Sequence, residues 1–427
     1  MKNKNSVIEE LFERRKDEPI WNTSYPLSPS DWAPFRVDGP LAFQEEKELS
    51  FYVHIPFCKQ LCSFCEYTRM ICPDEHLQMR YLETLRKDIL KFKAACKDFV
   101  LRGFDIGGGT PTSLSETCFN LLMAIFDEAK EGISLSDDFE PSIEATFNTL
   151  SEGKLKRIVQ SGIYRLSLGV QSTSWEVLCT HHRERINIDE KCKWMKKAWD
   201  MGIKKINLDL MYGLRGQNEE TISADLKNIA VLRPQQVTLY ELRTNMIKDK
   251  DVPSKETLFM QYSQYFEGLI KLGYHANFGE NTFSLDVHDH GVSSYLRSRM
   301  LDGVSYKGFG LAAQSMSNAG ISYNVGKSSD KLKELLAADT YQEEYTYILP
   351  KHELASKYVA IAAYNGSFSL NRVSEILGVD ARKYFEEALR FALSHGYIEE
   401  ESNDRIRITK EGFMYYGAVF SLFYSVS

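Results

Sequence analysis

The sequence lacks every segment that would place the protein in or across a membrane. No apolar run approaches the roughly 20 residues that span a bilayer, and residues 1–5 lead into charged residues rather than an apolar signal core. The composition is not basic either: the 427 residues carry a net charge of −7, which argues against a broad electrostatic footprint for nucleic acid. We therefore predict a cytoplasmic protein, monomeric, with no membrane span and no nucleic-acid partner.

Cysteine is scarce, and its distribution is uneven. Eight cysteines in a chain of this length do not make a disulfide framework, and a reducing compartment suits them. Three of them, Cys58, Cys62 and Cys65, form a C-x3-C-x2-C pattern directly after the β-prone run of residues 51–55. Soft thiolates at this spacing favour an iron–sulfur cluster or zinc. The alternative is three buried core cysteines, which the close spacing disfavours.

A second cysteine pair of the C-x2-C or C-x4-C kind is absent. Tetrahedral zinc wants a fourth protein ligand, often from such a pair. Three thiolates around a four-iron cluster would instead leave one iron open for a substrate. The other five cysteines are interpreted as core or incidental thiols, although Cys72 lies close enough to the motif that a role for it stays open.

Between residues 46 and 330, short apolar strands alternate with amphipathic helices, which predicts an α/β fold with a parallel sheet covered by helices. Such sheets and barrels bind ligands at the C-terminal ends of their strands. Strands are predicted at residues 50–55, 100–106, 142–147, 165–169, 205–211 and 236–242, and helices at 77–92, 117–128, 154–160, 189–201, 221–231 and 256–272.

The two ends of the chain break this alternation. Residues 1–45 contain five prolines, which break helices, and aromatics such as Trp21 and Trp32, so we predict an arm lying across the core. In residues 331–427 the sequence pattern predicts helices at 353–363, 370–377 and 381–393, followed by two short strands. This order is typical of winged-helix modules. Acidic residues in this segment would repel phosphate, and we interpret it as a lid or packing domain.

Polar residues end or interrupt the predicted strands. Gly107-Gly108-Gly109-Thr110 follows a strand and indicates a turn with free amides for an anionic or zwitterionic ligand, but no G-K-[ST] makes it a P-loop. Glu144 and Asp209 are isolated carboxyls on core strands and need partners; for Glu144 a salt bridge to a helix is the alternative. His54, His181-His182 and His288-Asp289-His290 are each more often ordinary core or loop residues than catalysts or metal ligands.

These motifs resemble the radical S-adenosylmethionine (SAM) superfamily, specifically the branch of the oxygen-independent coproporphyrinogen III oxidases (HemN-like). The resemblance rests on Y-x-H-I-P-F-C from Tyr52 to Cys58, then on residues 107–112, 167–172 and 207–214. Residues 23–26 and 407–412 extend it over nearly the whole chain. It implies a partial (β/α) barrel with a parallel sheet at residues 46–330, an N-terminal arm at 1–45 and a C-terminal lid at 331–427.

The resemblance also implies a [4Fe–4S] cluster on Cys58, Cys62 and Cys65, with SAM on the open iron. An electron from a flavodoxin- or ferredoxin-type donor would cleave SAM to a 5′-deoxyadenosyl radical. The resemblance makes Tyr52 and His54 the candidate catalytic residues, at positions that the family has beside the reacting groups. The positions that match SAM contacts are Tyr52, Phe64, Gly108, Gly109, Thr110, Glu144, Gln171, Arg183 and Asp209. By a less secure alignment, Arg243 and Gln314 stand where the family contacts a second SAM.

Two departures separate this chain from the oxidases. They carry a fourth cysteine two residues after the third, where this chain has Glu66-Tyr67, and Arg243 and Gln314 differ in character. Three functions remain open: C-methylation of an sp2 carbon in a planar aromatic, quinone or tetrapyrrole by a second SAM; anaerobic tetrapyrrole oxidation or haem opening; and haem chaperoning. The chaperones are shorter and usually lack such an arm. We favour methyl transfer to a small planar substrate.

Overall fold

A computed structural model describes residues 7–21, 23–183, 185–243, 252–326, 332–402 and 404–424. The described strands are β1 (Arg36–Val37), β2 (Glu48–Ile55), β3 (Val100–Gly108), β4 (Ser134–Leu135), β5 (Ser142–Ala145), β6 (Arg165–Gln171), β7 (Lys205–Tyr212), β8 (Gln236–Glu241), β9 (Thr282–Ser284), β10 (Tyr306–Phe309), β11 (Gln314–Ser317), β12 (Gly320–Asn324), β13 (Glu343–Ile348), β14 (Ser367–Ser369), β15 (Ile398–Glu400) and β16 (Arg405–Ile408).

The α-helices within the same ranges are α1 (Val7–Arg15), α2 (Glu75–Ala95), α3 (Glu116–Lys130), α4 (Glu152–Gln160), α5 (Trp175–Thr180), α6 (Ile188–Asp200), α7 (Glu219–Leu232), α8 (Lys255–Lys271), α9 (Ser294–Met300), α10 (Leu332–Leu335), α11 (Lys351–Ala362), α12 (Leu370–Leu377), α13 (Ala381–Tyr384), α14 (Glu386–Ser394), α15 (Lys410–Phe413) and α16 (Tyr416–Ser421). None of these helices is both long and apolar enough to cross a membrane.

One large sheet organises the fold, in the order β1-β13-β12-β11-β10-β2-β3-β5-β6-β7-β8-β9. The strands from β10 to β8 in this order pair in parallel, and antiparallel strands extend both edges. Over the described ranges no pairing joins β1 to β9, so the sheet stays open, as a partial barrel does. The predicted α/β class with a parallel sheet is confirmed.

The two faces of the sheet differ in chemistry. Along β2, β6, β7 and β8, apolar side chains such as Phe51, Leu166, Leu208 and Val237 are fully buried in the main core, and the alternating positions are polar. Because successive strand residues point to opposite faces, one face packs on helices while the other lines a polar interior. We call this polar interior the lumen.

Helix boundaries follow local capping chemistry. The Asp74 carboxylate accepts from the amides of His76 and Leu77, so α2 begins at Glu75, two residues before the start predicted from hydrophobic periodicity. Asn218 and Thr221 form a reciprocal capping box at the start of α7. Where the sequence predicts one helix over 381–393, the structure has α13 and α14, because Phe385 leaves the helical region with φ −102° and ψ 21°.

The chain ends differ from the expectations in two respects. The N-terminal arm begins with a regular helix, α1, whose Phe12 ring stacks on Tyr397 of the C-terminal segment at 5.0 Å between ring centroids. The large sheet also continues past residue 330, because β13 pairs with β12 and β1. Strand pairing therefore crosses the predicted domain boundary. Beyond it, β14-β16-β15 form a small separate sheet among helices.

Candidate active site

The cysteine motif lies on a loop that leaves the C-terminal end of β2. Two backbone hydrogen bonds close its base: Met70 N–H donates to Pro56 O at 2.7 Å, and Cys58 N–H donates to Met70 O at 3.0 Å. Burial is the main cause that raises the pKa of Cys58 to about 11; the hydrogen bond to Thr110 opposes it, and the Cys65 and Cys62 thiols add to it. Burial also raises the pKa of Cys65. The protein alone therefore favours protonated thiols, and a bound metal has to displace those protons.

A second segment, which follows α5, braces this loop. His181 is buried and links the two: its Nδ1 lies 2.9 Å from Ser63 Oγ, and its Nε2 accepts from Arg215 N–H at 3.0 Å. Arg183 follows, with Nη1 3.5 Å from Cys62 Sγ and Nη2 donating to Gly169 O at 2.6 Å. His181 thus has a positioning role that the sequence did not reveal, and Arg183 connects the cysteine loop to β6.

Three thiols on one loop are a donor set of the kind that holds an iron–sulfur cluster. Among the described residues, no three His, Cys, Asp or Glu side chains are arranged to hold one metal ion. Thiolates on a polynuclear cluster bind different irons, so they need not converge on one point. A [4Fe–4S] group fits Cys58, Cys62 and Cys65 on these grounds. Cys72 lies apart from this set, with its buried thiol directed to Asp74 O at 3.8 Å at the start of α2.

The glycine turn packs against the cysteine loop, and its amides are already bonded. Gly108 N–H donates to Glu144 Oε2 at 3.1 Å, Gly109 N–H to Ile55 O at 2.8 Å, and Thr110 N–H to Phe57 O at 2.7 Å. The expectation of free amides is therefore wrong for this structure. The glycines are explained instead by the close packing of this turn against the cysteine loop. A Cβ on Gly109 would lie 2.7 Å from Phe57 O and 3.0 Å from Cys58 Sγ.

Three carboxyls share one guanidinium in the lumen beside this turn. Asp105, Glu144 and Asp209 lie on β3, β5 and β7, and Arg165 on β6 is the cation that lowers the pKa of each. Burial outweighs that effect and raises their pKa values, to about 7 for Asp105, about 8 for Glu144 and about 6 for Asp209. Glu144 remains accessible to water although protein surrounds it. This excess of carboxyls favours a cationic ligand.

Hydrogen bonds fix the Asp209 carboxylate on the inner face. Ser167 Oγ donates to one oxygen at 3.1 Å and Asn207 Nδ2 to the other at 2.7 Å. Thr238 Oγ1 continues the network by donating to Asn207 Oδ1 at 3.1 Å. The carboxylate is therefore held in one orientation before any ligand arrives.

Gln171 ends β6 in a conformation that needs an explanation. Its φ of 63° is left-handed, which is uncommon for a residue other than glycine. Its buried Oε1 has no hydrogen-bond partner within the described chain. Strain and an unpaired buried acceptor together mark functional positions, so the amide is a candidate to bind a ligand donor.

Tyr52 and His54 lie on the inner face of β2. Burial lowers the pKa of His54 to about 4, so the ring is neutral at pH 7. Nε2–H donates to Thr68 O at 2.8 Å, which leaves Nδ1 to accept from the Tyr52 hydroxyl at 3.3 Å. The Tyr52 ring stacks on Tyr295 at 5.7 Å between centroids. His54 is thus a bonded, uncharged residue that orients Tyr52. Phe64 packs beside His181, with ring centroids 5.7 Å apart.

The two residues aligned with a second SAM are engaged by protein groups. Arg243 Nη1 lies 3.1 Å from Glu66 Oε1, and Nη2 donates to Thr23 Oγ1 of the arm at 2.8 Å. Gln314 Oε1 accepts from Tyr306, and its Nε2 donates to Tyr323 OH at 2.8 Å. Arg243 therefore ties the arm to the residues that replace the family's fourth cysteine.

Several inner-face residues escaped the sequence analysis. They are Asp105, Arg165, Asn207, Thr238 and Tyr240. The sequence does contain a pattern that could have revealed them, an alternation of polar and apolar residues along each strand. Polar residues occupy every second position between buried aliphatic residues, as Arg165 and Ser167 do on β6 and Asn207 and Asp209 do on β7. Parallel strands covered on both faces rarely alternate in this way.

Residues 52–229 match the family described as the Radical SAM superfamily. The structure superposes on that of coproporphyrinogen III oxidase (HemN) from Escherichia coli, a Radical SAM enzyme, with a TM-score of 0.73 over 88% of this chain and 90% of that chain. Identity in that alignment is 23%, so the likeness shows the fold. The chain therefore contains a radical SAM domain.

Its curated relatives define the branch. An oxygen-independent coproporphyrinogen III oxidase of Salmonella typhimurium is 30% identical over 265 residues, which cover 59% of this chain and 57% of that protein. The heme chaperone HemW of Bacillus subtilis is 25% identical over 394 residues, 88% of this chain and 98% of that protein. The chain thus spans a little over half the length of the oxidase and nearly all of the chaperone. It has a radical SAM domain at residues 52–229 and HemN-like homologues, as the resemblance implied.

Proposed function

We propose that this protein binds a [4Fe–4S] cluster and SAM at the C-terminal edge of β2, β3, β5, β6 and β7, and acts on a planar substrate in the lumen. The observation that carries the proposal is the group of three carboxyls around Arg165, next to the cysteine loop. SAM carries a sulfonium and an ammonium, and a site with carboxyls in excess of cations attracts both. When bound, the cluster supplies the electron that cleaves SAM to a 5′-deoxyadenosyl radical.

The chain's own residues would divide the work of holding SAM. Glu144 and Asp209 would bind the cationic groups or the ribose, and Gln171 Oε1 would accept a hydrogen bond that protein atoms leave unmade. Arg183, already at Cys62, would hold the carboxylate. Tyr52, fixed by His54 and Tyr295, would limit where the nucleoside lies. Gly109 keeps the space between the turn and Cys58 open.

Tyrosine rings on the lumen walls support a planar substrate. Tyr52 and Tyr295 stack on one side, and the Tyr240 and Tyr364 rings lie 6.1 Å apart on another. Tyr67, two residues after Cys65, stands close enough to Glu144 and Arg243 to interact with their charges. A conjugated ring offers a face to such side chains, and its stacking on them is favourable.

Methyl transfer to an sp2 carbon is the reaction we propose first. The pairing of Arg243 with Glu66, and of Gln314 with two tyrosines, means that a second SAM would have to compete with protein contacts. Anaerobic tetrapyrrole oxidation is the second candidate, because a relative 30% identical is named for it. Both reactions need the same radical and the same lumen.

Deuterium labelling separates the two candidates. Reconstituted protein would be incubated with methyl-deuterated SAM, a reductant and extract of an anaerobic host. Methyl transfer predicts deuterium in 5′-deoxyadenosine, together with S-adenosylhomocysteine. Unlabelled 5′-deoxyadenosine with consumption of substrate would exclude it and leave oxidation. If SAM stays intact while the protein binds haem, the enzyme proposal itself fails and the chaperone function stands.

The electron donor is proposed to be a small acidic protein of the flavodoxin or ferredoxin type. Leu61 and Trp175 are exposed beside the cysteine loop, at 42% and 46%, amid Lys59, His182 and Arg185. A basic surface on a chain of net charge −7 fits an acidic partner. Arg185→Glu should raise the KM for a flavodoxin several-fold while dithionite-driven SAM cleavage stays unchanged. An unchanged KM would place the donor elsewhere.

A further inference from the structure

A cavity of about 330 Å³ lies outside the SAM site, between the strands β10 and β11 and the helices α11 and α12. Its wall includes apolar side chains from both sides, among them Met316, Leu354, Ile361 and Ile376. Lys351 and Glu375 are exposed, whereas Tyr306 and Ile361 are buried. The cavity thus has a charged mouth and an apolar floor.

Cations outnumber carboxylates along this wall. Arg299, Lys351 and Arg372 line the cavity, and Glu375 is the lining carboxylate, paired with Arg372 at 2.9 Å. Glu46 lies behind the wall, where Ser305 Oγ and Asn318 Nδ2 donate to it at 2.9 and 2.8 Å. After both carboxylates are counted against the three cations, one positive charge remains. This balance favours a ligand with a single negative charge.

Two guanidinium nitrogens at the cavity are buried and lack acceptors. Over the described ranges, neither Arg299 Nε nor Arg372 Nε has a hydrogen-bond partner. Arg372 is otherwise fixed, since its Nη2 donates to Gly303 O at 2.8 Å. Gly303 has φ 65°, and a Cβ there would lie 2.8 Å from Arg372 Nε and 3.0 Å from Tyr358 Cε2. Glycine at this position therefore lets the backbone pack against the Arg372 guanidinium and fix it at the cavity wall, and unpaired buried donors are costly.

We propose that this cavity is a binding site for a small amphipathic monoanion, a carboxylate on an apolar body of about two fused rings. The carboxylate would pair with the guanidinium groups of Arg372 and Arg299, and the apolar body would lie against Ile361 and Ile376. Charge-assisted hydrogen bonds would fix the acid, and desolvation of the apolar walls would add affinity.

Arg299 connects this site to the lumen. Its guanidinium lies 4.5 Å above the Tyr306 ring, and its Nη2 donates to Gln314 Oε1 at 3.2 Å. A ligand paired with the Arg299 guanidinium would therefore contact the group that orients Gln314. The site is independent of the proposed reaction, because its lining residues are not those proposed to hold the cluster or SAM.

Isothermal titration calorimetry on the reconstituted holoprotein tests this proposal, with naphthoate as the probe and naphthylmethanol as its neutral isostere. Hydrogen bonds to a charged group contribute about 1.5–3 kcal/mol, so naphthoate should bind roughly ten- to a hundredfold more tightly than the alcohol. Arg372→Gln should remove most of that preference and leave alcohol binding unchanged. Ile376→Trp should fill the cavity and abolish binding of both probes.

Arg382→Gln is the matched control. Arg382 is an arginine of the same C-terminal segment, paired at the surface with Glu400 at 2.8 Å, and its replacement should leave both affinities unchanged. Iron content and thermal unfolding would verify that each variant is folded. Equal binding of acid and alcohol, undetectable binding of either, or binding that survives Ile376→Trp in a folded protein would each overturn the proposal.

Discussion

The carboxyl of Glu144 offers the sharpest test of the candidate site, because its loss should weaken SAM binding and stabilise the empty protein. Glu144 accepts from Gly108 N–H at 3.1 Å, and a glutamine could keep that bond. Burial raises its pKa to about 8, so about 1% of the carboxyl is ionised near pH 6 and about half near pH 8. If SAM binds the ionised form, this group alone strengthens binding over that interval by at most about fiftyfold, because water that reaches the carboxyl screens part of the pKa shift.

The stability effect has the opposite sign. The pKa of Glu144 in the folded state lies well above 4.5, the ordinary value for a glutamate. Between about pH 4.5 and 8, the folded protein therefore holds a proton that the unfolded chain releases, and the contribution of this group to stability falls as pH rises. Glu144→Gln removes that loss. The melting temperature of the SAM-free variant should exceed that of the wild type, by more at pH 8 than at pH 5.

Two measurements follow on anaerobic, reconstituted protein: calorimetric SAM affinity at about pH 6, 7 and 8, and thermal unfolding without SAM. Comparison with wild type at each pH cancels the titration of SAM itself. The expected result is a gap in SAM affinity that widens with pH. Unchanged SAM affinity at pH 8, or a melting temperature lowered equally at every pH, would show that the carboxyl is structural and would refute the argument.

Three further predictions concern neighbouring positions. Gly109→Ala should lower iron incorporation and SAM cleavage about tenfold, because the added Cβ would meet the backbone and the Cys58 thiol. The control is Gly153→Ala on α4, whose Cβ would meet a flexible glutamate and which should leave iron incorporation and SAM cleavage unchanged. Asp209→Ala should weaken SAM binding by roughly ten- to a hundredfold in calorimetry; an unchanged affinity would remove it from the site. Asp225→Ala should lower the free energy of unfolding, measured with urea, by on the order of 3 kcal/mol, because the fully buried carboxylate accepts from Ser172, Thr173 and Tyr265. The control is Asp200→Ala at an exposed position, which should stay within about 0.5 kcal/mol of wild type.

The sequence by itself determined the α/β class and the cysteine motif. Hydrophobic periodicity placed β2, β3, β5, β6, β7 and β8 and the helices between them, because local alternation and capping set those elements. The spacing of Cys58, Cys62 and Cys65 and the order of later motifs indicated the superfamily, and the chain does contain a radical SAM domain. These features are readable because each depends on neighbours within one segment.

Only the tertiary structure decided what the polar residues do. Arg165 reads as the first residue of a strand, yet its guanidinium lies among carboxyls of three other strands, which register alone brings together. The glycine amides looked free because their acceptors, Glu144, Ile55 and Phe57, come from other elements. Likewise, the pairing of β13 across residue 330 and the contact of Thr23 with Arg243 join distant segments. Contacts between residues far apart in the sequence depend on packing and charge between segments, so they cannot be predicted from a local sequence pattern.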